Sequence, residues 1–177
     1  MKRCLSTLIL VPFAVSCFAA DLKADVEALN KKAEKLLKAK DLDGFAKMLK
    51  AHCAPDFKYY EDGQGGKPMT LQQMIDTMKM GYSMTDTVKS VSAKILTLKV
   101  TGNIAKGTTR HEMTSVLRGE KGKKGPVMVY VGTSTDMYKM IKGKWYMSSM
   151  SMKTNKMTMD GKPFDPSKMG GAAPSGK

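Results

Sequence analysis

From Asp21 onward, apolar residues recur at three- and four-residue steps: Leu22, Val26, Leu29, Ala33, Leu36 and Leu37. That spacing lays one apolar stripe along an amphipathic helix. Glu27 with Lys31, and Glu34 with Lys38, stand four apart in the order that supports the exposed face. Asp41 is placed to cap a second, shorter helix whose Phe45, Met48, Leu49 and His52 share a side, and Pro55 ends it. Thr70-Leu71-Gln72-Gln73 is a capping box, in which the Thr70 and Gln73 side chains each accept from the other's backbone N–H. It opens a third helix bearing Leu71, Met74, Ile75 and Met78, which Gly81 is expected to stop.

The remaining segments alternate with a period of two. Phe57-Lys58-Tyr59-Tyr60-Glu61 predicts a short strand closed by a turn at Asp62-Gly63 and Gly65-Gly66. After Ser83 the pattern predicts long strands over residues 88–100, 104–117, 127–141 and 144–159. In the second of these, Ala105, Gly107, Thr109, His111, Met113, Ser115 and Leu117 face one way, and Lys106, Thr108, Arg110, Glu112 and Thr114 the other. A charged, glycine-bearing turn over residues 120–125 and a tight Lys142-Gly143 turn join the last three into an antiparallel meander. Helices first and strands afterwards define an α+β protein, with the helical stripes laid on one face of a curved sheet.

In that order of elements the chain resembles the nuclear transport factor 2-like superfamily, which includes ketosteroid isomerase-like and SnoaL-like domains. The resemblance rests on the leading helix, on Asp41-Leu42-Asp43-Gly44-Phe45-Ala46-Lys47-Met48-Leu49 as the short second helix, and on Pro55-Asp56-Phe57-Lys58-Tyr59 as the first strand. It rests also on a Gly-rich turn into a third helix, and on Tyr138-Lys139-Met140-Ile141-Lys142-Gly143-Lys144-Trp145-Tyr146-Met147 as a closing hairpin with a Trp-bearing last strand. It covers residues 21–160. The family implies a cone, a strongly curved antiparallel sheet wrapped on about three N-terminal helices around a pocket, and a homodimer through the open sheet face. It does not imply one activity. The isomerase branch uses an Asp base with Tyr and protonated Asp donors, and no motif of this sequence matches those positions.

The first nineteen residues change the picture of compartment. Lys2 and Arg3 precede an apolar stretch from Leu5 to Phe13, and Cys17-Phe18-Ala19-Ala20 offers small residues for cleavage. We therefore expect a signal peptide over residues 1–19, a domain over 20–160, a disordered tail over 161–177 rich in Gly and Pro, and export to the periplasm or the exterior. The stretch is too short to span a bilayer, and no later segment is suited to it. Ala14-Val15-Ser16-Cys17 loosely matches a lipoprotein box, which would make lipidated Cys17 the first residue. Of Cys4, Cys17 and Cys53, cleavage after Ala19 leaves Cys53 alone, a buried residue that forms no internal disulfide.

The formal net charge is +14; removing Lys2 and Arg3 takes the basic residues from 30 to 28 against 16 acids, a net of +12. Such a balance attracts polyanions such as anionic cell-surface polymers. Nucleic acid is disfavoured as a partner, because the lysines are scattered and Arg3, Arg110 and Arg118 are the only arginines.

Candidate chemistry is sparse. His111 shares its strand face with Met113 and Ala105, so it is a candidate base or ligand contact; a core histidine satisfied by a backbone carbonyl or by Ser115 outweighs that. His52, beside Leu49, is structural. Asp136 shares a face with Tyr130, Ser134 and Tyr138, which either lines a polar pocket or faces solvent against Val127, Val129 and Val131. Seventeen methionines include Met150 with Met152 and Met157 with Met159, spacings that a Cu(I) site uses; flexible core filling is the better account. Two histidines and one mature cysteine are too few for zinc, and no cofactor motif is present.

The leading expectation is a non-catalytic domain, either accessory or binding a small molecule in a pocket lined by Tyr59, His111, Met113 and Tyr130. An isomerase- or cyclase-like enzyme with His111 or Asp136 as base is the alternative, and a Met-rich copper protein the third. Intact-mass and N-terminal analysis of the protein from its host should find Ala20 first; a lipidated Cys17 would establish the anchored form instead.

Overall fold

The computed structural model describes residues 11–61, 67–120 and 123–164, with the side chains of 11–20 excepted. The start of the expected leader, the glycine turn at 62–66 and the tail from 165 lie outside the described residues. The elements are α1 (Val11–Lys38), α2 (Leu42–His52), β1 (Cys53–Glu61), β2 (Met69–Thr70), α3 (Leu71–Ser83), β3 (Thr85–Thr101), β4 (Ile104–Leu117), β5 (Val127–Ile141), β6 (Lys144–Met159) and β7 (Lys162–Pro163). One sheet runs β2-β1-β6-β5-β4-β3, with β7 added to β6.

Both caps form as their residue types require. The Asp41 carboxylate accepts from Gly44 N at 2.9 Å, and Thr70 and Gln73 close the reciprocal box. The hairpin between β5 and β6 turns through Lys142 (φ 51°) and Gly143 (φ 78°). Positive φ at both central positions matches the twist of the flanking strands, which is what a two-residue hairpin needs.

Several boundaries move. α1 is described from Val11 and is one continuous helix from there through the expected leader junction. α3 passes through Gly81 and ends at Ser83, because Gly81 keeps helical geometry there. β1 begins at Cys53, immediately after α2, and contains Pro55. The pairing of β1 with β6 shifts register between Cys53 and Lys58, and Pro55 sits in that irregular stretch, where its missing N–H breaks no regular ladder. The curved, mostly antiparallel sheet forms as expected, with one parallel pair, β1 with β6. A parallel pair needs a long crossover, here the whole of α3 and the β3–β5 meander. Gly161, expected in the tail, instead turns the chain into Lys162–Pro163, which pairs with Met159 and Thr158.

The core has two parts on the concave side of the sheet. Leu22 and Val26 of α1 pack with Ala105 and Tyr138, joined by Ile95, Leu98, Val100, Trp145 and Met147. Cys53, Phe57 and Met74 form the second, with Leu49, Tyr59, Leu71, Met147 and Met150. Met147 belongs to both, so β6 links the α1 side to the α2 and α3 side. α1 also covers the free edge of β3, where the Glu34 carboxylate accepts from Ala93 N at 2.9 Å, and in the turn after α1 Lys40 Nζ donates to Thr85 O at 2.5 Å. Such cover removes an edge that could otherwise pair with another chain.

Leu22 is 1% exposed at the junction of α1 with β4 and β5. Leu22→Ala should therefore cost about 2–5 kcal/mol in urea unfolding, whereas Lys35→Ala, on the exposed side, should stay within about 0.5 kcal/mol.

Candidate functional site

The register of the long strands places residues of different strands side by side on the concave face. Gly107 of β4 is opposite Asp136 of β5, Thr109 opposite Ser134, His111 opposite Gly132 and Met113 opposite Tyr130. On the other side of β5, Asp136 is opposite Met150 of β6, Ser134 opposite Met152, and Tyr130 opposite Met157. Across the parallel pair, Tyr59 is opposite Met150 and Glu61 opposite Met152. The tie over Asp136 is thereby broken. Gly132, Ser134, Asp136 and Tyr138 are all buried, and the alternate residues Val129, Val131, Thr133 and Thr135 form the convex face.

Asp136 is 1% exposed and Ser134 fully buried. Thr109 Oγ1 donates to Asp136 Oδ2 at 2.7 Å, and Ser134 Oγ lies 2.8 Å from His111 Nε2. Ser134 also hydrogen-bonds the Asp136 carboxyl, so one hydroxyl stands between an imidazole and a carboxyl. Asp136 Oδ1 has no partner. Burial raises the Asp136 pKa against the opposing hydrogen bonds from Thr109 and Ser134, because desolvation penalises the charged form. Burial depresses that of His111 to about 4, leaving the ring neutral at pH 7. Tyr59 is raised by burial, then by Glu61 and Tyr130 nearby.

Gly132 shapes the same region. A Cβ there would overlap the Tyr130 hydroxyl, so the phenol folds over its own strand into space that only glycine leaves open. Tyr82 Oη lies 3.5 Å from Met113 Sδ.

Two open grooves of about 370 Å³ each are formed by described residues. One lies on the convex side at Ser92, Lys94, Leu96, Arg110 and Glu112. The other lies between α1 and β3, where the buried Asn30 Nδ2 has no partner. Neither includes Tyr59, His111, Met113, Tyr130 or Asp136.

Three helices packed inside one bent, mostly antiparallel sheet find counterparts among solved proteins. A hexachlorocyclohexane dehydrochlorinase (LinA, type 2) superposes with a TM-score of 0.57 at 14% identity, over 85% of this chain and 97% of that one. A putative scytalone dehydratase from Novosphingobium aromaticivorans gives 0.52 at 15% identity, over 78% and 87%. A nuclear transport factor 2-like protein of unknown function from Shewanella oneidensis gives 0.51 at 17% identity, over 73% and 97%. The fold is that of the nuclear transport factor 2-like proteins. No family model and no curated protein matches the sequence.

Within this nuclear transport factor 2-like cone, Tyr59, His111, Met113 and Tyr130 are all half-buried on the concave face, and His111 and Asp136 come together through Ser134. Ser115, offered as a partner for His111, leaves its hydroxyl unpaired. His52 stands apart on the last turn of α2. Met150 and Met152 were the methionines weighed first for copper. Both are half-buried, Met150 packs into the Phe57 cluster, Met157 sits opposite Tyr130 and Met159 opposite Met128. Ser134 and Thr109 were the missed members. Each was visible as a small polar residue on an alternating face, but their union depends on the β4–β5 register.

The signs of the two shifts differ. A histidine depressed in the fold contributes stability that is complete above its unfolded pKa, about 6.5, and is lost as pH falls from there toward 4. A raised Asp contributes stability that is complete below about 3.9 and is lost as pH rises through its folded pKa. We expect the His111 ring to show no NMR titration between pH 8 and about 5, with a midpoint near 4. Asp136→Asn should be close to neutral at pH 4 and become stabilising relative to the parent as pH is raised. Separately, Gly132→Ala should cost about 1–3 kcal/mol and alter the tyrosine near-ultraviolet signal, and adding Tyr130→Leu should relieve part of that cost.

Proposed function

We propose that the concave face holds a small, mostly apolar molecule, with the Asp136 carboxyl and the His111 imidazole as its hydrogen-bonding anchor. The observation behind this is the Asp136 carboxyl, 1% exposed yet with Oδ1 unpaired. Buried polar atoms nearly always have partners, so an orphaned oxygen on a face lined by Met113, Met150, Met152 and Tyr59 suits a ligand hydroxyl or carbonyl. A protonated Asp136 could donate to a carbonyl, and an ionised one could accept from a hydroxyl. The thioethers would supply a deformable apolar wall.

A second reading is acid–base chemistry. It is favoured by the Ser134 hydroxyl lying between His111 and Asp136, an arrangement that can pass a proton from one to the other. Two proteins of the same fold bear the names dehydrochlorinase and dehydratase. At 14 and 15% identity they share the scaffold with this chain.

Native mass spectrometry of the protein purified from its host should show a retained small molecule that is lost from Asp136→Asn and His111→Gln, with melting curves confirming that both variants fold. An empty parent protein, together with no thermal shift from alicyclic and aromatic alcohols and ketones, would overturn the binding reading. Base chemistry would appear as exchange of a ligand C–H for deuterium that His111→Gln abolishes.

A further inference from the structure

The convex face of the same sheet is ordered in a way its composition does not reveal. Across β1, β6, β5, β4 and β3, one row runs Lys58, Ser149, Met137, Lys106, Lys99. The next runs Tyr60, Ser151, Thr135, Thr108, Thr97, and the third runs Lys153, Thr133, Arg110, Lys94 from β6 to β3. A band of hydroxyls therefore crosses the strands with a cationic row on either side. Rows two residues apart are separated by about 7 Å, so the cationic rows stand about 14 Å apart astride the band, and each step between strands is about 4.8 Å.

The charges on this face are unbalanced. Asp56 is held by Lys139 at 2.6 Å, and Glu112 by Arg110 at 2.6 Å. Lys94, Lys99, Lys106 and Lys153 are exposed and form no salt bridge among the described residues. Lys156, one row beyond Lys153 on β6, extends the excess. Among the described residues no element covers these strands on this side, since the core clusters and all three helices lie on the concave face.

We propose that this convex face is a docking surface for a linear phosphate polymer lying along the hydroxyl band, with lysines of the flanking rows pairing its charges. Charge complementarity selects the occupant. A second copy placed face to face would set unpaired lysines against unpaired lysines. Single-stranded nucleic acid calls for aromatic platforms on which bases stack, and the three rows offer Tyr60 at one edge. Lysine, a compact ammonium on a flexible stem, suits a chain of phosphates without planar groups, and the threonine and serine hydroxyls can donate to the same oxygens. The surface is independent of the concave site, because alternation along each strand sends the two sets of side chains to opposite faces.

The test is fluorescence anisotropy of the full chain with labelled inorganic polyphosphate of defined length, with poly(glycerol phosphate) of matched charge as a parallel arm. Two variants carry equal charge changes: Lys99→Gln with Lys106→Gln and Lys153→Gln on the face, and Lys32→Gln with Lys35→Gln and Lys38→Gln on α1. At about 100 mM salt the face variant should bind about tenfold more weakly and show a shallower dependence of affinity on salt, with the α1 variant within about twofold of the parent. The stronger arm identifies the polymer's chemistry. Equal losses in both variants would overturn the proposal, since net charge alone would then account for binding. It would equally fall if the parent did not bind, if single-stranded DNA or anionic vesicles bound more tightly, or if the face variant abolished a dimer instead. Retained binding of a small molecule by the face variant keeps this test separate from that of the concave site.

Discussion

Because side chains alternate across a sheet, the pairing of Gly107 with Asp136 and of Thr109 with Ser134 commits every residue of β4 and β5 to a face. A slip of one residue would turn Asp136 and Ser134 outward and bring Thr133 and Thr135 in. It would also separate Tyr138 from Leu22 and Val26, whose packing with Ala105 holds α1 in the cone. The concave network, the convex rows and the seating of the first helix therefore all depend on one ladder. Its strength comes from length, since the register is continuous from Ile104 to Val116 without a bulge.

The ladder also explains how a carboxyl survives at 1% exposure. An ionised carboxylate at that depth is costly unless it is satisfied, and Asp136 receives hydroxyls from Thr109 across the ladder and from Ser134 two residues back along its own strand. Those bonds oppose the desolvation without cancelling it, so its pKa remains raised. His111 meets the same low dielectric from the opposite sign of charge and is held neutral. Two groups that would be ionised in water are thus both pushed toward neutrality, and the serine between them lies in hydrogen-bond reach of each.

The two faces of the sheet separate chemistry by polarity. Inside, thioethers, phenols and a few hydroxyls surround groups shifted by burial. Outside, exposed lysines stand among half-buried serine, threonine and valine side chains. A formal charge of +14 has little meaning as a total; what matters is that part of it is laid in rows by strands paired in register.

The sequence by itself determined the elements. The helical stripe from Leu22, the Asp41 and Thr70 caps, the Lys142-Gly143 hairpin and the alternation along β4 are local patterns, set by spacings of a few residues, and the structure retains them. The order of those elements also carried the fold class. The candidate site was half legible. His111 was placed on the inward face by its neighbours, but Asp136 lay on a strand whose two faces are equally plausible in composition, Val127, Val129 and Val131 on one and Tyr130, Ser134 and Tyr138 on the other. Only the tertiary structure could choose between them, because burial is decided by what packs against a strand, here α1 through Leu22 and Val26. The parallel union of β1 with β6, the union of His111 with Ser134 and the convex rows were decided there too. The first two join residues separated by 23 or more positions, the rows draw on five strands at once, and hydrophobic periodicity within a segment carries no information about which other segment will lie beside it.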